Sequence, residues 1–338
     1  VNITILGGGS WAIALAVMLR GKGHDIRMWE FNPKDADMLR ARREHPQKLP
    51  GIKLPPDVAI SSDVREAMAS AEYVLCVVPS QTMRATCKAV VAALKRESID
   101  SIQGWVIAAK GIECGTLKLM TGVLSDEIPG LSADRMVVLS GPSLAAEVSR
   151  GIPTTVVAAS KNLDLALKIQ KEFSTDTFRV YTNNDVVGVE LAASVKNVIA
   201  LAAGICDGLG LGDNTKGALL TRGMAEIVRL GTKMGAQEHT FFGLAGMGDL
   251  ITTCISRHSR NRNMGEIIAS GVPLKDALAK AVMVAEGVET ARSTYELSKR
   301  YDIEMPITTE VYKALFEDKP VKEAVKGLML RESKPERW

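Results

Sequence analysis

Asn2-Ile-Thr-Ile-Leu6-Gly7-Gly8-Gly9-Ser10-Trp11-Ala12 opens the chain and carries the pattern on which the fold turns. Asn2–Leu6 is a short apolar run of the kind that forms a strand buried on both faces. Trp11–Arg20 has helical periodicity, and Ser10 stands where an N-cap is expected. Between them, Gly7–Ala12 fits G-x-G-x-x-[GA] in the strand–turn–helix setting that a dinucleotide fingerprint requires. Gly7 permits the tight turn, Gly9 lets the backbone approach a pyrophosphate, and Ala12 is small enough for the helix to sit close to the strand. A helix N-terminus offers free N–H groups and partial positive charge to phosphates. The other reading of the same glycines is a turn that holds no ligand.

Outward from this motif, strand-like runs recur at Asp25–Glu30, Tyr73–Val78, Trp105–Ala109, Arg135–Ser140, Thr154–Ala159 and Phe178–Tyr181. Helical patterns separate most of them, and a loop rich in proline (Pro46, Pro50, Pro55, Pro56) follows the second. Alternation of this kind predicts an α/β fold, a Rossmann-type doubly wound sheet. Beyond Asp185 the periodicity is helical and rich in Ala and Leu. The expected organisation is therefore a dinucleotide-binding domain over residues 1–185 and an all-helical substrate-binding and catalytic domain over 186–338.

Composition narrows the class. The 338 residues are 46% hydrophobic and 24% charged with a net charge of +3, a globular balance that gives no reason to expect nucleic acid or a membrane surface as partner. Five cysteines without a C-x-x-C pair argue for free thiols in a reducing compartment. The four histidines are scattered, so no metal is expected. The most apolar stretch, Val186–Leu211, contains Glu190, Lys196 and Asp207, which speaks against membrane insertion. No leader peptide is legible before the first strand, and the expected location is cytoplasmic.

Several residues carry candidate chemistry. Glu30 lies 23 residues after Gly7, where an acidic side chain can accept from the adenosine ribose and repel a 2′-phosphate, or can be an ordinary strand-end carboxylate. Phe31 follows it. Lys196 has Ala192, Ala193, Ile199 and Ala200 as helical neighbours. Such surroundings desolvate an ammonium and lower its pKa toward the range of a proton donor, although a lysine snorkelling from a core helix has the same pattern. Arg257, Arg260 and Arg262 form a basic cluster that suits a phosphate or a solvated loop equally. Asp249 could act in a site or cap a helix beginning at Leu250.

With these residues in view, the sequence resembles the bacterial type of NAD(P)-dependent glycerol-3-phosphate dehydrogenase over nearly its whole length. Five motifs carry the resemblance in order: Gly7–Ala14, Lys110-Gly111, Ser140-Gly141-Pro142-Ser143-Leu144-Ala145, Glu190 with Lys196-Asn197, and Gly243-Leu-Ala-Gly246-Met-Gly248-Asp249 followed by Ser259-Arg260-Asn261. The resemblance implies reversible hydride transfer between NAD(P)H and dihydroxyacetone phosphate, giving sn-glycerol 3-phosphate for phospholipid synthesis. It implies that Lys196 is the proton donor and acceptor, that Lys110 touches substrate and cofactor, and that Asp249 is an active-site carboxylate. Gly141, Ser143, Asn197, Ser259, Arg260 and Asn261 are implied substrate contacts, with Arg260 also reaching the cofactor. Ser10, Trp11, Ala145, Val284 and Glu286 are implied cofactor contacts. Members often carry a basic residue after the second strand. Here the run is Trp29-Glu30-Phe31-Asn32, which leans toward NADH. Two rivals stay open, a β-hydroxyacid or ketopantoate-type reductase and a sensor that binds NAD(H) without turnover. A homodimer also stays open.

Overall fold

A computed structural model of the chain describes residues 1–333, 335 and 336; the end of the expected second domain, residues 334, 337 and 338, lies outside the described residues. Eight strands form one sheet: β1 (Asn2–Leu6), β2 (Asp25–Trp29), β3 (Ala59–Ser61), β4 (Tyr73–Cys76), β5 (Gly104–Ile107), β6 (Met136–Ser140), β7 (Thr154–Ala159) and β8 (Phe178–Asn183). Their order is β3-β2-β1-β4-β5-β6-β7-β8, and every pair is parallel except β6 with β7. The central strands are buried on both faces, as helices above and below require. Ile3, Ile5, Leu75 and Val106 pack on one side with Ala12, Leu15 and Leu19 of the first helix. Leu6, Val74, Trp105 and Ile107 pack on the other.

The chain reverses direction across the sheet between β1 and β4, and ligands bind at such a switch point, outside the carboxyl ends of the strands. Four consecutive carboxyl ends lie side by side there: the glycine loop after β1, Val77–Ser80 after β4, Ala108–Lys110 after β5, and Gly141–Ser143 after β6.

Three details differ from the sequence expectation. The first helix spans Ser10–Gly21 and its N-cap is Gly9, with no side chain capping it. Ser10 is thus the first helical residue. The reason is visible in Gly9, whose extended backbone (φ −78°, ψ 175°) already turns the chain, leaving the helix's first N–H groups open. The second strand ends at Trp29, and Glu30 lies just past it while its N–H still bonds Ser61 O at 3.0 Å. Strand β3 falls within the long loop region and was not expected; it is three residues long.

After β8 comes a 23-residue helix, Val186–Gly208, in which every residue from Gly188 to Cys206 is buried. It is long and apolar enough to span a membrane, but 94% of its most apolar window is buried inside the protein. It is the axis of the helical half, packed by Gly212–Lys233, Asp249–Ile255, Arg260–Ala269 and Glu286–Arg300. Glycines allow the tightest of these crossings: a Cβ on Gly204 would lie 1.9 Å from Arg262 O, and one on Gly265 would lie 2.1 Å from Leu201 O. Backbone meets backbone there, which holds the Arg260 helix hard against the Lys196 helix.

Candidate active site

The glycine loop has room for a ligand. Gly7 has φ +129°, a conformation that L side chains rarely adopt, and a Cβ on it would lie 3.1 Å from Val77 O. A Cβ on Gly9 would meet no protein atom within 4 Å. Protein packing does not demand glycine at position 9, so the open space and the uncapped helix end fit a pyrophosphate. Trp11 is half-buried beside this loop, Ala12 is fully buried, and Ala145 opens a short helix that packs on the first helix.

Glu30 turns inward. Its carboxylate accepts from Asn32 N at 3.0 Å and from the Gly8 N–H, and a Cβ on Gly8 would lie 2.3 Å from Glu30 Oε2. Burial raises its pKa above the usual carboxylate value, and the charge of Lys48 is among the influences opposing this. Lys48 also pairs with Asp35 at 3.3 Å. Of the other cations near in the chain, Arg27 bonds Glu66 O and Lys34 is exposed. Phe31 is 72% exposed.

One buried carboxylate lies at the centre of the second cluster. Lys196 Nζ donates to Asp249 Oδ1 at 2.7 Å, and Lys110 Nζ donates to Asp249 Oδ2 at 2.7 Å. Lys196 also donates to Thr253 Oγ1 at 2.6 Å, while Thr253 Oγ1 donates to Asp249 O at 2.6 Å. Lys110 further donates to Gly141 O at 3.2 Å, an oxygen that also accepts from Ser143 Oγ at 2.9 Å. The two lysines come from opposite halves of the fold, Lys110 from the loop at the carboxyl end of β5 and Lys196 from the central helix. Asp249 begins its helix directly after a π-helical turn, Leu244–Gly248, a distortion frequent at functional sites. Its carboxylate binds the lysines and does not cap that helix. Burial draws Lys196 down to about 8; Asp249 opposes the shift and Lys110 adds to it.

A third group flanks this centre. Asn261 Nδ2 donates to Asn197 Oδ1 at 2.9 Å, and Asn261 Oδ1 accepts from Gly287 N at 2.9 Å. Ser259 is the N-cap of the Arg260 helix, its hydroxyl accepting from Arg262 N at 3.2 Å. Both side chains therefore already hold the protein together. Of the three arginines, Arg262 is committed to Asp207 (2.6 Å) and Glu266 (2.9 Å), and Arg257 is exposed. Arg260 is exposed as a residue too, although protein atoms crowd its guanidinium. That enclosure lowers its pKa, offset by the charge of Glu286. Glu286 in turn accepts from Ser80 N at 3.1 Å and Ser80 Oγ at 2.5 Å, joining the helical half to the loop after β4. Burial raises its pKa. Val284 is half exposed near this junction in the sequence.

Thr253 is a site residue that sequence reasoning missed. Thr253 is four residues after Asp249 and so shares its helix face. Ser80 closes the Val77–Ser80 segment at a strand's carboxyl end, where ligand contacts are expected.

A Rossmann crevice whose carboxyl ends run from a glycine loop to an ammonium pair buried on one carboxylate belongs to the NAD(P)-dependent dehydrogenases of two-domain architecture. The comparisons make the class specific. Residues 2–166 match the family model for the NAD-dependent glycerol-3-phosphate dehydrogenase N-terminus, and residues 185–326 match that for the C-terminus. The chain is 48% identical over 339 residues to the glycerol-3-phosphate dehydrogenase [NAD(P)+] of Pelodictyon phaeoclathratiforme, covering 100% of both chains. It is likewise 48% identical over 337 residues to that of Geobacter sulfurreducens, covering 100% of this chain and 99% of the relative. The crystal structure of glycerol-3-phosphate dehydrogenase from Coxiella burnetii superposes with a TM-score of 0.90 at 35% identity, covering 98% of this chain and 99% of that one. The chain belongs to the NAD-dependent glycerol-3-phosphate dehydrogenase family.

Proposed function

We propose that this protein interconverts dihydroxyacetone phosphate and sn-glycerol 3-phosphate. The carrying observation is the single buried carboxylate of Asp249 shared by Lys196 and Lys110 at 2.7 Å each. A bound nicotinamide supplies or accepts the hydride. Gly7, Gly9, Ser10, Trp11 and Ala12 hold its pyrophosphate side, with Ala145, Val284 and Glu286 bordering the same crevice. Lys196 gives its proton to the developing alkoxide at C2, and Lys110 and Asp249 orient the polar end. Arg260 grips the phosphate through its fork of donors together with Asn261, with Ser259 and Asn197 as further substrate contacts. Gly141 and Ser143 line the loop that Lys110 touches. Residues 1–185 are the cofactor domain in this reading and 186–338 the substrate domain. Supply of glycerol phosphate for lipid synthesis in the cytoplasm, without membrane insertion, is the matching role; five free thiols support that compartment. A homodimer is the assembly to look for by size exclusion. A substrate panel tests the reading: dihydroxyacetone phosphate should be turned over and ketopantoate and β-keto acids should not. Preference for a carboxylate ketone would replace it with the reductase reading.

The Lys196 pKa gives a pH signature with opposite signs in the two directions. Ketone reduction needs the ammonium, so its kcat/KM should be flat below about 8 and fall above it. Alcohol oxidation needs the free amine and should rise through the same value. Profiles that share one limb in both directions would assign the titration to another group.

Cofactor choice follows from Glu30. Its carboxylate lies against Gly8, on the side where the adenosine ribose is expected. Ribose hydroxyls donate to it, and a 2′-phosphate meets its charge. Lys48 tempers the contrast because its charge acts on the same carboxyl. Both cofactors should work, with the higher kcat/KM for NADH, and Glu30→Ala should narrow the gap mainly by improving NADPH. A preference for NADPH that survives Glu30→Ala would show that another group selects the cofactor.

A further inference from the structure

Asp185, Glu226 and Glu190 are buried carboxylates that serve helix N-termini, and Glu190 differs from the other two in what it joins. Asp185 caps its own helix at Gly188 N (3.0 Å). Glu226 holds Ile307 N (2.5 Å) and Thr308 N (3.1 Å), inside the helical half. Glu190 reaches across the two halves. It stands on the Lys196 helix and accepts from Thr121 N at 3.0 Å, from Thr121 Oγ1 at 2.5 Å and from the Met120 N–H.

The receiving helix, Met120–Glu127, has no cap of its own. Leu119 stands at its N-cap with no side-chain bond, so the orphan N–H groups rely on Glu190. The segment before it leads to the active site. Leu119 pairs with Ile112 in an antiparallel bridge, and Glu113 N donates to Lys118 O at 2.9 Å. Two residues before Ile112 is Lys110. A continuous path therefore runs from Lys196 down its helix to Glu190, to Thr121, through the 112–119 pairing, and back to Lys110.

We propose that Glu190 is a positioning residue that registers the Lys196 helix against the Lys110 loop through its grip on Thr121 and Met120. Asp249 can bind both lysines only if their ammonium groups arrive at its two oxygens together, and the Glu190 clamp fixes that separation from behind. Burial pushes the Glu190 carboxyl up to about 7, a cost that a local Ser or Asp cap would largely avoid. The carboxylate sits where it joins the two halves.

This assignment rests on the reading of Lys196 and Lys110 as the reacting pair. Wild-type turnover tests that reading, whereas the ratio of variant to wild type tests Glu190. Glu190→Asp shortens the clamp, and Thr121→Val removes its hydroxyl from the other side. Each should lower kcat by about 10–100-fold, the size expected from a sub-ångström to ångström misplacement of a reacting group. KM for dihydroxyacetone phosphate should stay within about twofold, because the phosphate grip lies elsewhere. The kinetic isotope effect with NADH deuterated at the transferred position should rise as chemistry becomes limiting. Thr121→Ser keeps the hydroxyl and should retain turnover close to wild type. The proposal is overturned if Thr121→Val lowers the melting temperature but leaves kcat and the isotope effect unchanged. Loss confined to KM, or failure of Thr121→Ser to restore turnover, overturns it as well.

Discussion

Lys196→Met should cost roughly 10²–10⁴-fold in kcat while leaving NADH affinity close to wild type. The substitution keeps length and an apolar stem in a helix whose neighbours are all buried, so packing is largely preserved. It removes the ammonium that donates to Asp249 Oδ1 and Thr253 Oγ1. Asp249 keeps Lys110 as counter-charge, so the carboxylate is not left buried without a cation. The loss is then that of a positioned acid and not of the site. The glycine loop is built from β1 and the first helix, which Lys196 does not touch, and cofactor titration by fluorescence should be unaffected. Near wild-type kcat in this variant would remove Lys196 from the chemistry.

Arg260→Ala should lower kcat/KM for dihydroxyacetone phosphate by about 10²–10³-fold, in the range seen when one partner of a desolvated charged hydrogen bond is truncated. Arg262 is the member of its arginine cluster tied to Asp207 and Glu266, whereas the charge acting on Arg260 is that of Glu286. Arg260→Lys should recover only part of the loss, because a point charge lacks the planar fork. The control is unphosphorylated dihydroxyacetone. Wild type should turn it over very poorly, since remote binding energy positions the carbonyl, and Arg260→Ala should make it little worse. Equal losses for both ketones would show that Arg260 acts on something other than the phosphate.

These effects were legible in the sequence to different degrees. The glycine loop, its strand and its helix could be read directly, because all are contiguous and local sterics dictate them. Strand β3 could not, since three residues at a sheet edge give no usable periodicity. The capping role given to Ser10 failed because a favourable residue type one position late loses to a glycine that is already extended. Lys196 was undecidable from periodicity: snorkelling and burial predict the same apolar neighbours. What separates them is Asp249, 53 residues away in the chain, and Lys110, which no helical pattern can bring alongside. The arginine cluster shows the same limit. Its composition suggested phosphate, but only tertiary partners distinguish Arg262, tied to Asp207, from Arg260. Asn261 and Ser259, expected at the substrate, also brace and cap the helix that carries Arg260. Glu30 depended on which way one side chain turns past a strand end, and its contact with Gly8 places it against the glycine loop.

The most direct measurement is NADH oxidation by the purified protein with dihydroxyacetone phosphate as the sole ketone, with the product quantified. Loss of one NADH for each sn-glycerol 3-phosphate formed is the expected result. Stoichiometric NADH binding with no oxidation in the presence of that ketone would contradict it, and would make the glycine loop part of a sensor and not of an enzyme.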